Sequence, residues 1–188
     1  MKKLLRLIGL VFLTATLLPA LVTANSEISD RKWQIGFDPT LALFGSLDFN
    51  FSYIATPKLK LNLNPVILLP YKRELGVGYG GTVSLTYFLT QEYRGWYVES
   101  GVTGRIAPKG SNLYFPIVHD FNHIDKRESF LGNQTLGGYE FVWGRFSLNP
   151  GLGFSAGYLK NKYSNFSATL GGSWVIFPIY KLYFGFRF

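Results

Sequence analysis

The last eight residues, Lys181-Leu-Tyr-Phe-Gly-Phe-Arg-Phe188, place an apolar side chain at every second position. Successive side chains of an extended strand point to opposite faces, so this stretch has one wholly apolar face. That face consists of Leu182, Phe184, Phe186 and Phe188, and the opposite face of Lys181, Tyr183, Gly185 and Arg187. A sheet built from such strands must cover its apolar side with a second layer or turn it toward lipid.

The same alternation recurs along the chain. Residues 47–53 and 58–64 alternate on either side of Thr56-Pro57, which predicts a hairpin. Further strands are predicted at about residues 33–40, 75–89, 96–106, 130–143, 146–158 and 166–188. The pattern therefore predicts eight antiparallel strands. Ten is the alternative count, because the last segment exceeds the roughly 9–11 residues that a tilted membrane strand needs.

The composition favours a membrane barrel over a soluble sheet. Aromatic residues make up 18% of the chain and charged residues 16%, whereas about 25% of residues are charged in soluble domains. The apolar residues after position 24 are interleaved with polar ones instead of forming a run that spans as a helix. The expected fold class is all-β, a closed antiparallel transmembrane β-barrel.

The first 24 residues have the pattern of a cleaved signal peptide. A basic start is followed by an apolar run from Leu7 to Leu18 and by Val22-Thr23-Ala24, which offers small residues for cleavage. The run is shorter than the roughly 20 residues of a membrane helix. We expect an exported barrel domain of residues 25–188. The chain contains no cysteine, which excludes a disulfide scaffold, and its mild, scattered positive charge does not favour nucleic acid.

These features resemble the small eight-stranded outer-membrane β-barrels of the OmpA, OmpX and OmpW type. Besides the signal peptide and the alternation, the resemblance rests on Gly95-Trp-Tyr-Val98, Asn149-Pro-Gly-Leu-Gly153 and the ending Tyr183-Phe-Gly-Phe-Arg-Phe188. It implies location in the bacterial outer membrane, contact with lipid and lipopolysaccharide, and recognition of the final strand by the barrel-assembly machinery. It also implies that Phe188 lies at the periplasmic end, with short turns there and longer loops outside.

Charged side chains on the inward faces of the predicted strands form a candidate network. An eight-stranded barrel is just wide enough for its interior to be filled by side chains, and charges buried there must be paired. We therefore expect a salt-bridged, polar interior. The predicted network consists of Asp48, Lys58, Lys60, Glu99, Arg105, Glu140, Arg145, Lys181 and Arg187.

The long segment between Ala107 and Ser129 contains both histidines of the chain. His119 and His123, with Asp120 or Asp125, are weak candidates for a metal site. His123, Asp125 and Ser129 supply the residue types of a hydrolase. The strand motif of lipid A deacylases is absent, however, because His123-Ile124 is followed by Asp125. We predict no metal or cofactor, and a loop available to an extracellular partner.

Two further groups of side chains are predicted to lie at the ends of the barrel. The outer loops carry cations that match lipopolysaccharide phosphates, and aromatic residues near the inner ends form an interfacial girdle. The cations are Lys72, Arg73, Lys109, Lys126, Arg127, Lys160 and Lys162, and the girdle consists of Trp33, Trp96, Trp143, Tyr97 and Tyr139.

The leading functional hypothesis is a non-enzymatic outer-membrane protein with structural or interaction roles. The alternatives are a lipid A-modifying hydrolase and a narrow channel for small or apolar solutes. A soluble lipocalin-like barrel is the competing fold, and it would place Leu59, Phe154 and Phe186 inside the barrel instead of outside.

Overall fold

The computed structural model describes residues 31–43, 45–70, 76–90, 94–109, 127–160, 168–171 and 173–188. The predicted signal peptide lies outside these residues. The described chain consists of nine strands and one short helix. In chain order they are β1 Trp33–Asp38, α1 Pro39–Ala42, β2 Ser46–Thr56, β3 Leu59–Leu68, β4 Gly78–Phe88, β5 Gly95–Ile106, β6 Ser129–Trp143, β7 Phe146–Lys160, β8 Ala168–Gly171 and β9 Trp174–Arg187.

Eight of these strands close into an antiparallel barrel. Each strand from β1 to β7 pairs with the next, β7 pairs with β9, and β9 returns to β1. The closing register joins Ile35 to Phe186 and Phe37 to Phe184. The prediction of eight barrel strands is confirmed, and the alternative count of ten is wrong.

The final segment differs from the prediction. The sequence pattern predicts one long strand over residues 166–188, but β8 and β9 are separate within this range. β8 is a four-residue strand that pairs with the first residues of β9. The sequence between the two strands, Gly171-Gly-Ser173, did not enter the prediction, which rested on periodicity.

The barrel is apolar outside and polar over much of its inside. Outward positions carry large exposed side chains, such as Val83 at 64% and Leu152 at 73% exposure. Phe154 and Phe186 also point outward, with 52% and 39% exposure, and Leu59 is half-buried. The competing lipocalin-like arrangement is contradicted by these directions.

The two ends of the barrel differ in their connections. One end, here called the turn end, holds Phe188, the turn at Pro57-Lys58 and the turn at Gly144-Arg145. The other end, here called the loop end, holds α1 and the connections between β3 and β4, between β5 and β6, and between β7 and β9. In the part of the chain that the structure describes, no helix is long and apolar enough to cross a membrane.

Two glycines allow β6 and β7 to carry a large ring inside the lumen. Gly132 and Gly157 are register partners. A Cβ on Gly157 would collide with the Gly132 Cα and would lie 2.9 Å from the ring of Phe130. The ring of Phe130, which is 4% exposed, therefore occupies space that side chains at these two positions would need.

We expect Gly157→Ala to destabilise the barrel, because its Cβ would clash with backbone. Overpacking of this kind costs about 1–3 kcal/mol. Gly137→Ala is the matched control, since the nearest atom to its Cβ would be 3.7 Å away. The measurement is the urea midpoint of unfolding. Equal midpoints for the two variants would contradict this packing of Phe130 against the glycine pair.

Candidate functional site

Glu140 is the centre of a buried ion cluster near the turn end. One carboxylate oxygen accepts a hydrogen bond of 2.5 Å from Lys60 Nζ, and the other accepts one of 2.8 Å from an Arg187 Nη. Asn149 Nδ2 donates to the same carboxylate at 3.3 Å. Lys60, Glu140 and Arg187 are at most 1% exposed. Because they come from β3, β6 and β9, the contacts run across the lumen and not along one pair of strands.

Glu99 on β5 forms a second cluster at the same end. It accepts hydrogen bonds from Lys181 Nζ, from Ser84 Oγ at 2.7 Å and from Thr86 Oγ1 at 3.1 Å. The Lys181 ammonium also lies 4.9 Å from the ring centre of Tyr97, within the range of a cation–π interaction. The two clusters together, Lys60, Glu99, Glu140, Lys181 and Arg187, are here called the ionic layer.

The third interior pair lies closer to the loop end. Arg105 on β5 approaches Asp48 on β2, with 3.7 Å between nitrogen and oxygen. Ser46 Oγ donates to Asp48 at 3.3 Å. Asp48 is 5% exposed, whereas Arg105 is 28% exposed. Its guanidinium therefore faces open space inside the barrel.

The structure places seven of the nine predicted network residues in these clusters. The other two predictions are wrong, because Lys58 and Arg145 are exposed. Both residues lie an even number of positions from inward residues of their strands, a relation here called inward parity. They belong, however, to the turns at the turn end. Parity gives the face on which a side chain lies and not its distance along the barrel axis.

Tyr97 also differs from its prediction. The sequence pattern assigns it to the outer aromatic girdle, but it is 1% exposed and lies inside the barrel, where its hydroxyl donates to the Pro150 carbonyl at 3.2 Å. Its sequence neighbour Trp96 is 60% exposed and packs edge-on against Tyr139. Trp33 is also exposed, and Trp143 is half-buried. Tyr97 therefore supports Lys181 from within the lumen.

The sequence pattern did not reveal an apolar group inside the loop-end half. These side chains are at most 7% exposed and are here called the apolar layer: Val66, Leu68, Ala107, Phe130, Leu159, Val175 and Phe177. The signal available was the pair of continuous apolar runs at residues 65–69 and 175–177, where both faces of a strand are apolar. Such runs indicate burial on both sides.

A cavity of about 280 Å³ lies between the two layers. Its apolar lining includes Leu136, Phe177 and Ile179, and its polar lining includes Thr82, Arg105 and Lys181. Ile179 packs against both the apolar layer and a smaller cluster of Phe88, Tyr97 and Leu136. The lumen is thus filled at the level of the ionic layer and partly open above it.

The predicted assembly signal occupies the end of β9 and Phe188. Phe184, Phe186 and Phe188 are 39%, 39% and 53% exposed, and Leu182 is half-buried. Phe186 packs edge-on against Phe146 of β7. These side chains form an outward apolar edge next to β1.

Several other predictions fall on parts of the chain outside the described residues. They concern His119, Asp120, His123 and Asp125, and the cations Lys72, Arg73, Lys126 and Lys162. Among the residues that the structure describes, no group of three His, Cys, Asp or Glu side chains is arranged to hold a metal ion. Ser129 opens β6, paired with Ile106. Lys109, Arg127 and Lys160 lie at the loop end.

Comparisons of the chain with protein-family models, with curated proteins and with solved structures found no match. The fold and the contacts of this chain are therefore the basis for assigning its function.

We expect Glu140→Gln to destabilise the barrel strongly. The change leaves the Lys60 ammonium buried without the carboxylate to which it donates, and breaking a buried ion pair in this way costs about 3–5 kcal/mol. The double variant Lys60→Gln/Glu140→Gln should recover part of the loss. The exposed Arg145→Gln is the control and should leave the urea midpoint unchanged. A Glu140→Gln midpoint equal to that of the unchanged protein would show that the ionic layer contributes little.

Proposed function

We propose that this protein is an integral β-barrel of the bacterial outer membrane with a structural or interaction role and no enzymatic activity. The observation that carries the proposal is the inverted distribution of side chains. Exposed apolar residues surround the middle of the barrel, while buried ions pair across its lumen. A closed barrel is one of the two backbone arrangements that satisfy every main-chain group in hydrocarbon.

The outward face supports this proposal through its continuity around the barrel. Exposed apolar side chains lie next to one another on neighbouring strands, such as Leu63, Val83 and Val102 on β3, β4 and β5. A continuous exposed apolar surface marks contact with a membrane or another protein. The aromatic side chains Trp33, Trp96 and Phe146 lie at the turn end, where an interfacial girdle is expected.

The interior supports a barrel that does not conduct. The ionic layer joins β3, β5, β6 and β9 across the lumen. An eight-stranded barrel has room for side chains but not for an aqueous channel. Passage of a hydrated solute would require these ion pairs to separate in a poorly hydrated space, which is unfavourable.

The ends of the barrel suggest its partners. The outward aromatic edge of β9 is the surface that we propose the barrel-assembly machinery recognises. Lys109 and Lys160 are exposed at the loop end, where ammonium groups would meet the phosphates of lipopolysaccharide. The segment between Ala107 and Ser129 is the proposed contact for an extracellular partner.

The first test is localisation and conductance. We expect the full chain, expressed in a Gram-negative host, to fractionate with the outer membrane and to migrate differently on detergent gels before and after boiling. The purified barrel should give no stepwise current in planar bilayers, because the ionic layer blocks the lumen. Recovery as a soluble periplasmic protein would defeat the proposal.

A second test uses one outward residue at mid-height. We expect Val83→Arg to reduce the amount of assembled barrel strongly, because an Arg at the bilayer midplane costs about 2–4 kcal/mol on the lipid face. Ala55→Arg, an exposed position near the β2–β3 turn, is the matched control and should assemble normally. The measurement is the unboiled, fast-migrating gel band. In a soluble barrel both variants would fold, so equal assembly would contradict the membrane proposal.

A further inference from the structure

The cavity above the ionic layer lies between that layer and the apolar layer, and it borders a break in the wall. Lys181 of the ionic layer and Phe177 of the apolar layer both line it, one toward each end. The cavity is also lined by Leu152, Pro178 and Tyr180. These three side chains have outward parity and are exposed, so the cavity reaches the outer surface of the wall beside β9.

The break lies on the edge of β9 that faces β1. β7 pairs with one edge of β9 along most of its length. On the other edge β1 pairs with residues 184–187, and β8 pairs with residues 174–176. Within the described residues, no strand pairs with this edge from Phe177 to Tyr183. This edge, together with α1 opposite it, is here called the seam.

α1 is held across the seam by side-chain contacts and not by a strand ladder. Asp38 accepts hydrogen bonds from the backbone N–H groups of Thr40 and Leu41 at the start of α1, at 2.9 and 3.2 Å. The same carboxylate accepts the Leu182 N–H of β9 at 2.7 Å. The Tyr180 hydroxyl lies near the Thr40 side chain. Separating α1 from β9 would therefore break a few hydrogen bonds and leave the barrel closed below Asp38.

Four of the polar side chains on the cavity wall have a hydrogen-bond or ion-pair partner. Thr82 donates to Thr103 at 2.9 Å, Asn64 accepts from Asn50 at 2.6 Å, and Arg105 pairs with Asp48. Lys181 is paired with Glu99. A molecule bound in the cavity would therefore contact mainly the apolar side chains Leu136, Phe177 and Ile179. This apolar part of the lining favours an apolar guest over water.

We propose that the cavity is a binding site for a hydrocarbon chain, which enters sideways from the bilayer through the seam between α1 and β9. The proposal rests on the proposed membrane location, because the seam opens toward the surface that we assign to lipid. The volume corresponds to about nine water molecules, so the site holds a short hydrocarbon segment and not a whole lipid. The segment is either the tail of a bilayer lipid or a free apolar molecule dissolved in the membrane.

Photo-crosslinking with diazirine probes tests this proposal. The full chain is reconstituted in phosphatidylcholine vesicles that contain either a phosphatidylcholine with a diazirine in one acyl chain or a free diazirine-bearing decanol. After irradiation, labelled residues are mapped by mass spectrometry. The alternation of β9 and its neighbours supplies an internal reference. The outward residues Phe154 and Phe184 should be labelled in any membrane-embedded barrel. The inward residues Leu136 and Phe177 should be labelled only if a hydrocarbon chain enters the cavity.

Two variants with matched controls sharpen the test. Ile179→Trp fills the cavity and should remove the label from Leu136 and Phe177 while Phe184 remains labelled. Phe154→Trp makes a similar enlargement on the outer face of the neighbouring strand and should leave inward labelling unchanged. Tyr180→Phe removes the hydroxyl beside Thr40 at the seam and should raise inward labelling. Tyr158→Phe, also outward, should have no effect.

The outcomes distinguish the proposed binding site from the proposed membrane location. They also distinguish the two sources of the hydrocarbon guest. Inward label from the lipid probe identifies the tail of a bilayer lipid as the guest, and inward label from the decanol alone identifies a free apolar molecule. Labelled Phe154 and Phe184 without inward label from either probe would overturn the binding site and leave the membrane location intact. Unlabelled outward residues would overturn both. Inward labelling that persists unchanged in Ile179→Trp would also overturn the site.

Discussion

The pairing of β1 with β9 is the constraint on which the rest of the structure depends. At the turn end it is completed by two hydrogen bonds between Trp33 and Phe188, one in each direction, of 3.1 and 2.9 Å. Without this pairing the sheet would have two free edges, and exposed edges are open to pairing with other chains. With it, the inward side chains of eight strands share one narrow space. The charges and volumes of these side chains must then fit one another, which an open sheet would not require.

Interior cations pair with carboxylates across the lumen in the described part of the chain. Lys60, Arg105, Lys181 and Arg187 contact Asp48, Glu99 and Glu140, and Asp38 accepts backbone N–H groups. Because each ion comes from a different strand than its partner, pairing ties non-neighbouring strands together. Buried ion pairs are weak evidence for stability on their own, since desolvation offsets much of their attraction. Their contribution here is that partners on non-neighbouring strands disfavour shifts of one strand relative to the others.

Side-chain alternation predicted the strands and their faces, because in a barrel with lipid or solvent outside and a packed lumen inside, parity decides burial. Glu99, Glu140 and Lys181 were identified from parity alone. Parity was insufficient where height mattered, as for Lys58 and Arg145 in the turns. Tyr97 has the same parity as the inward Glu99, and its assignment to the aromatic girdle was wrong because it disregarded that parity. The division of the last segment into β8 and β9 and the short length of β1 depend on loop closure, which has no two-residue period. The cavity depends on the volumes of the inward side chains, which a two-residue alternation does not specify.

At the seam, few backbone N–H groups of β9 are left without an acceptor although β1 is short. In an antiparallel ladder, alternate residues direct their N–H and C=O groups to the same edge. Since Leu182 directs its N–H to Asp38 across the seam, Tyr180 and Pro178 face the same way. Proline has no N–H, and within sheets it is found at edges for that reason. Pro178 therefore removes one donor from the unpaired stretch, and the Asp38 carboxylate satisfies another. Two of the three seam-facing positions therefore leave no unsatisfied donor, so the unpaired wall beside the cavity costs less than three buried unsatisfied N–H groups would impose.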